Sequence, residues 1–332
     1  MKPIAERASI DADGFVREIL PGYHPVVLRG QVSDWPAVEA GRRGPRAIAE
    51  YIAAFDRGRP AEVMMGTPGI GGRFFYSDDM RGFNFQRKAV PIGELLYKLL
   101  ELAGDAAAPA LYAGAAAAPE YLPGWEAANH LALPVQSAKA RIWIGNRTHV
   151  STHYDVSHNI ACVVAGRRRF ILFPPQQIAN LYVGPLEFTI AGQPVSMVDV
   201  DRPDFERFPR FAEALRHALV ADLEPGDAIF IPTLWWHNVA AVEPLNVLIN
   251  YWWQEAAEVP FPALIHALMS VRDVPPGERE AWRVWFDYYV FGSQAGATAD
   301  HLPSHARGVL SPPSPTRNKL IKNYLIKALS RQ

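Results

Sequence analysis

The chain has 332 residues, 49% of them apolar, a formal net charge of −1 and a single cysteine. That length accommodates one large or two ordinary domains with a substantial core. Near-zero charge removes the footprint of a nucleic-acid binder, no apolar run is long enough for a membrane span, and Cys162 alone excludes an internal disulfide or a cysteine-based zinc cluster.

In chain order, the N-terminus has a basic residue but no apolar signal region, so with one thiol the expected location is cytoplasmic. Pro25 to Gly30 reads as a short strand ended by glycine. Ile48, Tyr51, Ile52 and Phe55 share one side of a helix, and the glycine cluster Gly66 to Gly72 reads as a hairpin turn. Ile92 to Leu102 is an amphipathic helix starting after Pro91, and Leu111-Tyr112 and Arg141 to Gly145 are strand patterns. From Arg141 to Trp253 short β runs alternate with turn chemistry such as Gly166 and Glu224-Pro225-Gly226-Asp227, the pattern of an antiparallel sandwich or barrel. An insertion, about Gln176 to Val220, carries a helix near Phe211 to Leu219. Phe261 to Met269, Glu280 to Tyr289 and Leu320 to Leu329 are helical, the last preceded by a Pro/Ser linker at Ser311 to Pro315.

The chemistry concentrates around His153 and Asp155, two residues apart at the start of a β run, where a strand would project both into one cavity. A third ligand, His237 in W-W-H, arrives on a later strand. Two imidazoles and one carboxylate with open positions are the facial triad of non-haem iron(II) oxygenases, although the same donors suit zinc, manganese and nickel. The four tryptophans at Trp235, Trp236, Trp252 and Trp253 read as core, one of each pair facing opposite its neighbour. His149 and His158 read as surface or supporting residues, and Arg167 and Arg169 as a solvated strand end.

Several motifs together carry a resemblance. They are H-Y-D at His153 to Asp155 with Asn159, G-R-R-R-F-I-L-F-P-P at Gly166 to Pro175, P-D-F-E-R-F-P-R-F at Pro203 to Phe211, P-G-D-A-I-F-I-P at Pro225 to Pro232, W-W-H at Trp235 to His237 and N-Y-W-W at Asn250 to Trp253. The segment Ile144 to Trp253, about a third of the chain, resembles the cupin-like JmjC oxygenases, most closely the factor-inhibiting-HIF type of asparaginyl hydroxylase. The resemblance implies Fe(II) held by His153, Asp155 and His237, with 2-oxoglutarate as co-substrate. Arg168 stands where the family uses a lysine to grip the far carboxylate, a role a bidentate guanidinium can fill. Asn159 and Asn250 fall where the family places amides beside metal and co-substrate, and Tyr112 is the expected phenol contact. Val150 replaces a threonine three residues before the first histidine, so Ser151 or Thr152 is expected to supply the hydroxyl.

The expected architecture is a double-stranded β-helix (jelly roll) over residues 111–256 with an insertion at 176–220, an N-terminal α/β decoration over 1–110, and a C-terminal helical extension over 257–332 that forms a homodimer. The expected function is Fe(II)- and 2-oxoglutarate-dependent hydroxylation of an unidentified peptide, protein or small-molecule substrate, consuming O2, with no nucleic-acid or membrane partner. A non-oxidative metal-dependent cupin enzyme and a catalytically silent cupin-fold binding protein are the alternatives.

Overall fold

The computed structural model describes residues 1–135, 138–255 and 258–330; the expected boundary at 256–257 lies outside the described residues. The chain divides into two compact units, Met1–Gln254 and Glu255–Gln332.

Eight strands build the centre of the first unit: β1 Ala140–Gly145, β2 His149–His153, β3 His158–Ala165, β4 Arg168–Phe173, β5 Leu219–Leu223, β6 Ala228–Ile231, β7 Trp236–Ala241 and β8 Asn246–Trp253. One sheet contains β6-β3-β8-β1 and the other β5-β4-β7-β2, so successive strands mostly alternate between sheets. This is the expected double-stranded β-helix. Among the described residues the first sheet is nine strands wide. Val26–Arg29 and Ala5–Ala8 extend it beyond β6, while Ala110–Ala117, Pro60–Gly66 and Phe85–Pro91 extend it beyond β1.

Alternation decides what each strand residue does. On β3, Ile160, Cys162 and Val164 face an outer core with Ile48, Ile52, Leu95 and Leu99, while Ala161 and Val163 face the inner core between the sheets with Phe170 and Val239. Both faces are covered, which is why β3 reads as a continuous apolar run. The outer layer comes from the helices Pro36–Arg43, Pro45–Ala53 and Ile92–Glu101, the first two opened by proline at a position that needs no N–H donor. Each fully buried aliphatic side chain here contributes roughly 1.5–3 kcal/mol. The same alternation turns Trp253 outward into the helix-covered core while Leu248 faces inward.

The glycine cluster differs from expectation. Pro60–Gly66 pairs with Phe85–Pro91 and Ala110–Ala117, so no hairpin closes within Gly66 to Gly72. The chain instead crosses to the other sheet, where Arg73–Phe74 lies parallel to β2. Gly72 has φ +81, and a Cβ there would sit 2.4 Å from the Arg147 carbonyl, so the crossing requires glycine.

The turn before β6 is docked by Asp227. Its Oδ1 accepts from Gly30 N at 3.0 Å, and its Oδ2 accepts from Arg29 Nη1 at 2.6 Å and Glu224 N at 3.1 Å.

The second unit is helical over Phe261–Ala267, Pro276–Phe286 and Pro315–Leu329. Wider π-type turns continue the first two helices over Leu268–Arg272 and Asp287–Phe291. Ser314 of the Pro/Ser segment caps the last helix, its hydroxyl accepting from Arg317 N at 3.1 Å.

Candidate metal centre

His153 closes β2 and His237 lies near the start of β7, and the two pair directly in the ladder with ring centroids 4.2 Å apart. Asp155 is not on the strand with His153, as its spacing suggests. β2 ends at His153, and Asp155 sits in the turn toward the other sheet, its carbonyl accepting from Leu234 N at 2.9 Å. One ligand atom from each of the three residues lies within 4.8 Å of the others, a group that can hold a metal ion.

Backbone carbonyls orient both rings. His153 Nδ1 donates to Ser151 O at 2.9 Å and His237 Nδ1 donates to Trp235 O at 3.1 Å. A carbonyl only accepts, so in the neutral ring the proton sits on Nδ1 and Nε2 keeps its lone pair. His237 is pushed down to about 4, chiefly by burial and then by His153, with Asp155 and the Trp235 carbonyl opposing. It is a neutral base at ordinary pH. His237 Nε2 lies 3.6 Å from Asp155 Oδ2.

That Oδ2 accepts from Trp252 Nε1 at 3.0 Å and Asn159 Nδ2 at 3.3 Å. Asn159 Oδ1 accepts from Asn250 Nδ2 at 3.4 Å, and Asn250 Oδ1 accepts from Trp143 Nε1 at 2.8 Å. A continuous chain of donors therefore runs from Trp143 to the carboxylate.

Arg168, the first residue of β4, is 2% exposed, and its Nε and Nη2 have no hydrogen-bond partner among the described residues. Burial lowers the affinity of its guanidinium for the proton, and the Tyr112 hydroxyl beside it opposes that shift. Burial raises the Tyr112 pKa, and Arg168 opposes it in turn. The register puts Phe170 and Val239 between the Arg168 row and the His237 row. Asp155 is the only carboxylate among the described residues lining this cavity, whose volume is ≈ 930 Å³ including open solvent at its mouth. An unpaired cation buried in an apolar enclosure costs several kcal/mol, so the site is complementary to an anion.

His153, Asp155, His237, Arg168, Asn159, Asn250, Tyr112 and Ser151 all line this cavity. Thr152 does not. β2 carries a bulge where His153 pairs with His237 but Val150 with Val239, and the extra residue breaks simple alternation. Val150 thereby lines the wall. Thr152 is fully buried elsewhere, and the Ser151 hydroxyl donates to the Phe74 carbonyl at 3.4 Å. The wall position of Val150 therefore carries no hydroxyl of its own.

Sequence reasoning missed Trp252 and Trp143, which line the cavity. The available signal for Trp252 was its position two residues after Asn250, on the same face of β8. From within the expected insertion, Ile190, Gln193 and Val195 join the lining and Val195 bridges to His153. Tyr76 donates its hydroxyl to Phe188 O at 2.6 Å, and Arg87 donates to the Ile190 carbonyl. His149 pairs with Asp201 at 2.9 Å, and His158 Nδ1 accepts from Thr233 N at 3.2 Å. Arg167 and Arg169 are exposed and pair with Glu243 and Asp222.

Comparison with known proteins places this geometry. The lysine-specific demethylase JMJ31 of Arabidopsis thaliana is 39% identical over 104 residues, 31% of this chain and 18% of its own length. The tRNA wybutosine-synthesizing protein 5 of Gallus gallus is 38% identical over 120 residues, 36% of this chain and 32% of its own. The human HSPB1-associated protein 1 is 37% identical over 116 residues, 34% of this chain and 23% of its own. The matches thus span about a third or less of these relatives. The family model of the cupin-like domain covers residues 12–258, which takes in every strand of the double-stranded β-helix and all three residues of the candidate metal group. The chain belongs to the cupin-like family of JmjC-type domains.

Proposed function

We propose that the protein is an Fe(II)- and 2-oxoglutarate-dependent oxygenase that hydroxylates a C–H bond of its substrate. The observation that carries this reading is the buried guanidinium of Arg168, its Nε and Nη2 without a partner among the described residues, in the same cavity as the His153, Asp155 and His237 cluster. The donor set fits a divalent metal with open positions, and the orphaned Nε and Nη2 fit a carboxylate.

His153, Asp155 and His237 would hold the iron. Arg168, with the Tyr112 hydroxyl, would grip the far carboxylate of 2-oxoglutarate, and Asn159 and Asn250 would present amides near the metal. Bound iron supplies activation of O2 coupled to conversion of 2-oxoglutarate into succinate and CO2. The chain's own work is orientation and exclusion. The Ser151 and Trp235 carbonyls hold both imidazoles with Nε2 inward. Phe170, Val239 and Val150 keep water from the space beside Arg168.

Succinate release from 2-oxoglutarate tests this reading. The wild-type chain with Fe(II) and O2 releases succinate, Asp155→Ala releases none, and Arg168→Ala needs at least about tenfold more 2-oxoglutarate, a charged hydrogen bond being worth roughly 1.5–3 kcal/mol. Wild-type behaviour from Asp155→Ala contradicts it. Homodimerisation through the C-terminal helices belongs to the same proposal, supported by the exposed apolar side chains Trp285, Phe291, Tyr324 and Ile326.

A further inference from the structure

We infer that Trp252 is a positioning residue for Asp155, itself held by a bulge in the strand Ala110–Ala117. The inference rests on the metal-site reading above and adds a device that neither the three ligands nor Arg168 supplies.

Asp155 lies beyond the end of β2, where no ladder restrains it. A carboxylate there can rotate, and it can offer an ion one oxygen or two. The indole N–H of Trp252 and the amide of Asn159 both address Oδ2, at 3.0 and 3.3 Å. Oδ2 is also the oxygen 3.6 Å from His237 Nε2, and among the described residues no donor addresses Oδ1. Two donors on one oxygen fix the rotation of the carboxylate about its bond to the chain, and with it the way the group meets the two histidines.

The indole is held on several sides. Trp143 meets it edge-on, ring centroids 5.7 Å apart at 81°. The Arg141 guanidinium stands over the Trp252 ring at 5.5 Å. A cation on the π face draws electron density from the ring and makes its N–H a stronger donor. Arg141 is anchored in turn, its Nη1 donating to the Ala115 carbonyl at 3.1 Å.

Ala115 shows where this arrangement is secured. Its φ is +55, a left-handed conformation that a residue with a Cβ adopts at a cost. The register between Ala110–Ala117 and β1 slips between Ala113 and Ala116, so Gly114 and Ala115 together oppose Trp143. That is a β-bulge, a feature that re-aims side chains beside active sites. A Cβ on Gly114 would come 2.9 Å from Trp143 Cζ3, so the glycine gives the Trp143 ring its place. One irregularity therefore seats Trp143, turns the Ala115 carbonyl to Arg141, and through both fixes the donor to Asp155.

The test is titration of the full-length chain with Co(II) alone, followed by calorimetry and by cobalt's visible absorption. Three variants are compared with wild type: Trp252→Phe, position 252 carrying benzothienylalanine (indole shape with sulfur in place of N–H), and Gly114→Ala. Loss of the N–H is expected to weaken Co(II) binding about 10- to 100-fold and to alter the absorption band, with unchanged circular dichroism. The benzothienyl variant decides the matter if Trp252→Phe folds poorly. Gly114→Ala is expected to shift affinity in the same direction with Trp252 intact, and wild-type affinity there overturns the role of the bulge. Wild-type affinity in the benzothienyl variant overturns the inference while the metal reading stands. A wild-type chain that takes up no Co(II) overturns both.

Discussion

His237 is 3% exposed and sits beside His153, so protonating it in the folded chain costs the desolvation of a buried cation as well as like-charge repulsion. The consequence is a pH-dependent stability of the metal-free protein. His237 titrates near 4 when folded, against an ordinary 6.5, so between those values the unfolded chain binds a proton that the folded chain refuses. Stability is therefore present above pH 6.5 and declines as pH falls through this window, with a slope of up to about 1.4 kcal/mol per pH unit for this one group. Urea unfolding of the metal-free chain at pH 7 and pH 5 checks it, and His237→Gln is expected to flatten the dependence; an equally steep fall in that variant contradicts the assignment. His153 and His237 were legible as partners because a histidine-x-aspartate before one β run and a histidine after another bring little else together. Trp252 was not legible in the same way. Its one signal was alternation from Asn250, which puts residues 250 and 252 on the same face of β8 and residue 253 on the other.

Strands and turns carry the residue-scale geometry, and the turn before β6 has the clearest energetic test. Asp227 satisfies two backbone N–H groups and Arg29 at once. Replacing it with alanine leaves the Gly30 and Glu224 N–H groups without their partner, while Arg29 keeps Glu6 and the Asp222 carbonyl, and is expected to destabilise the first unit by about 2–3 kcal/mol. Chemical denaturation reads this directly, and a loss below about 0.5 kcal/mol, the range of ordinary surface substitutions, contradicts the docking role. Most of the central strands were legible because alternating apolar runs with Pro, Gly and Asp punctuation persist from Arg141 to Trp253. Strand β5 was not, since the expected helix near Phe211 to Leu219 stops at His217 and Leu219 already opens the strand. The bulge in β2 was not. One extra residue inverts the facing of everything on one side of it, and this is why Val150 faces the cavity while Thr152 does not. The crossing at Gly72 escaped for a related reason: local turn chemistry is the same whether a chain reverses within one sheet or passes to another.

Across the molecule, the apolar side chains of the second unit define a separate experiment. Light scattering after size exclusion is expected to report a dimer for the full chain and a monomer after truncation at Ser311, which removes the helix Pro315–Leu329; a full chain that runs as a monomer contradicts the homodimer. No helix among the described residues is long and apolar enough to cross a membrane. The covering segment at Ile190 to Val195, far in sequence from both histidine strands, was visible only as an insertion, because what a loop covers is set by contacts distant in the chain. The most direct test of the whole account is anaerobic titration of the Fe(II)-loaded chain with 2-oxoglutarate, read as charge-transfer absorption. Wild type is expected to develop the band at saturating 2-oxoglutarate, Arg168→Ala to need at least about tenfold more, and Asp155→Ala to develop none. A wild-type chain without the band, or an Arg168→Ala variant that titrates as wild type does, contradicts the reading of this cavity.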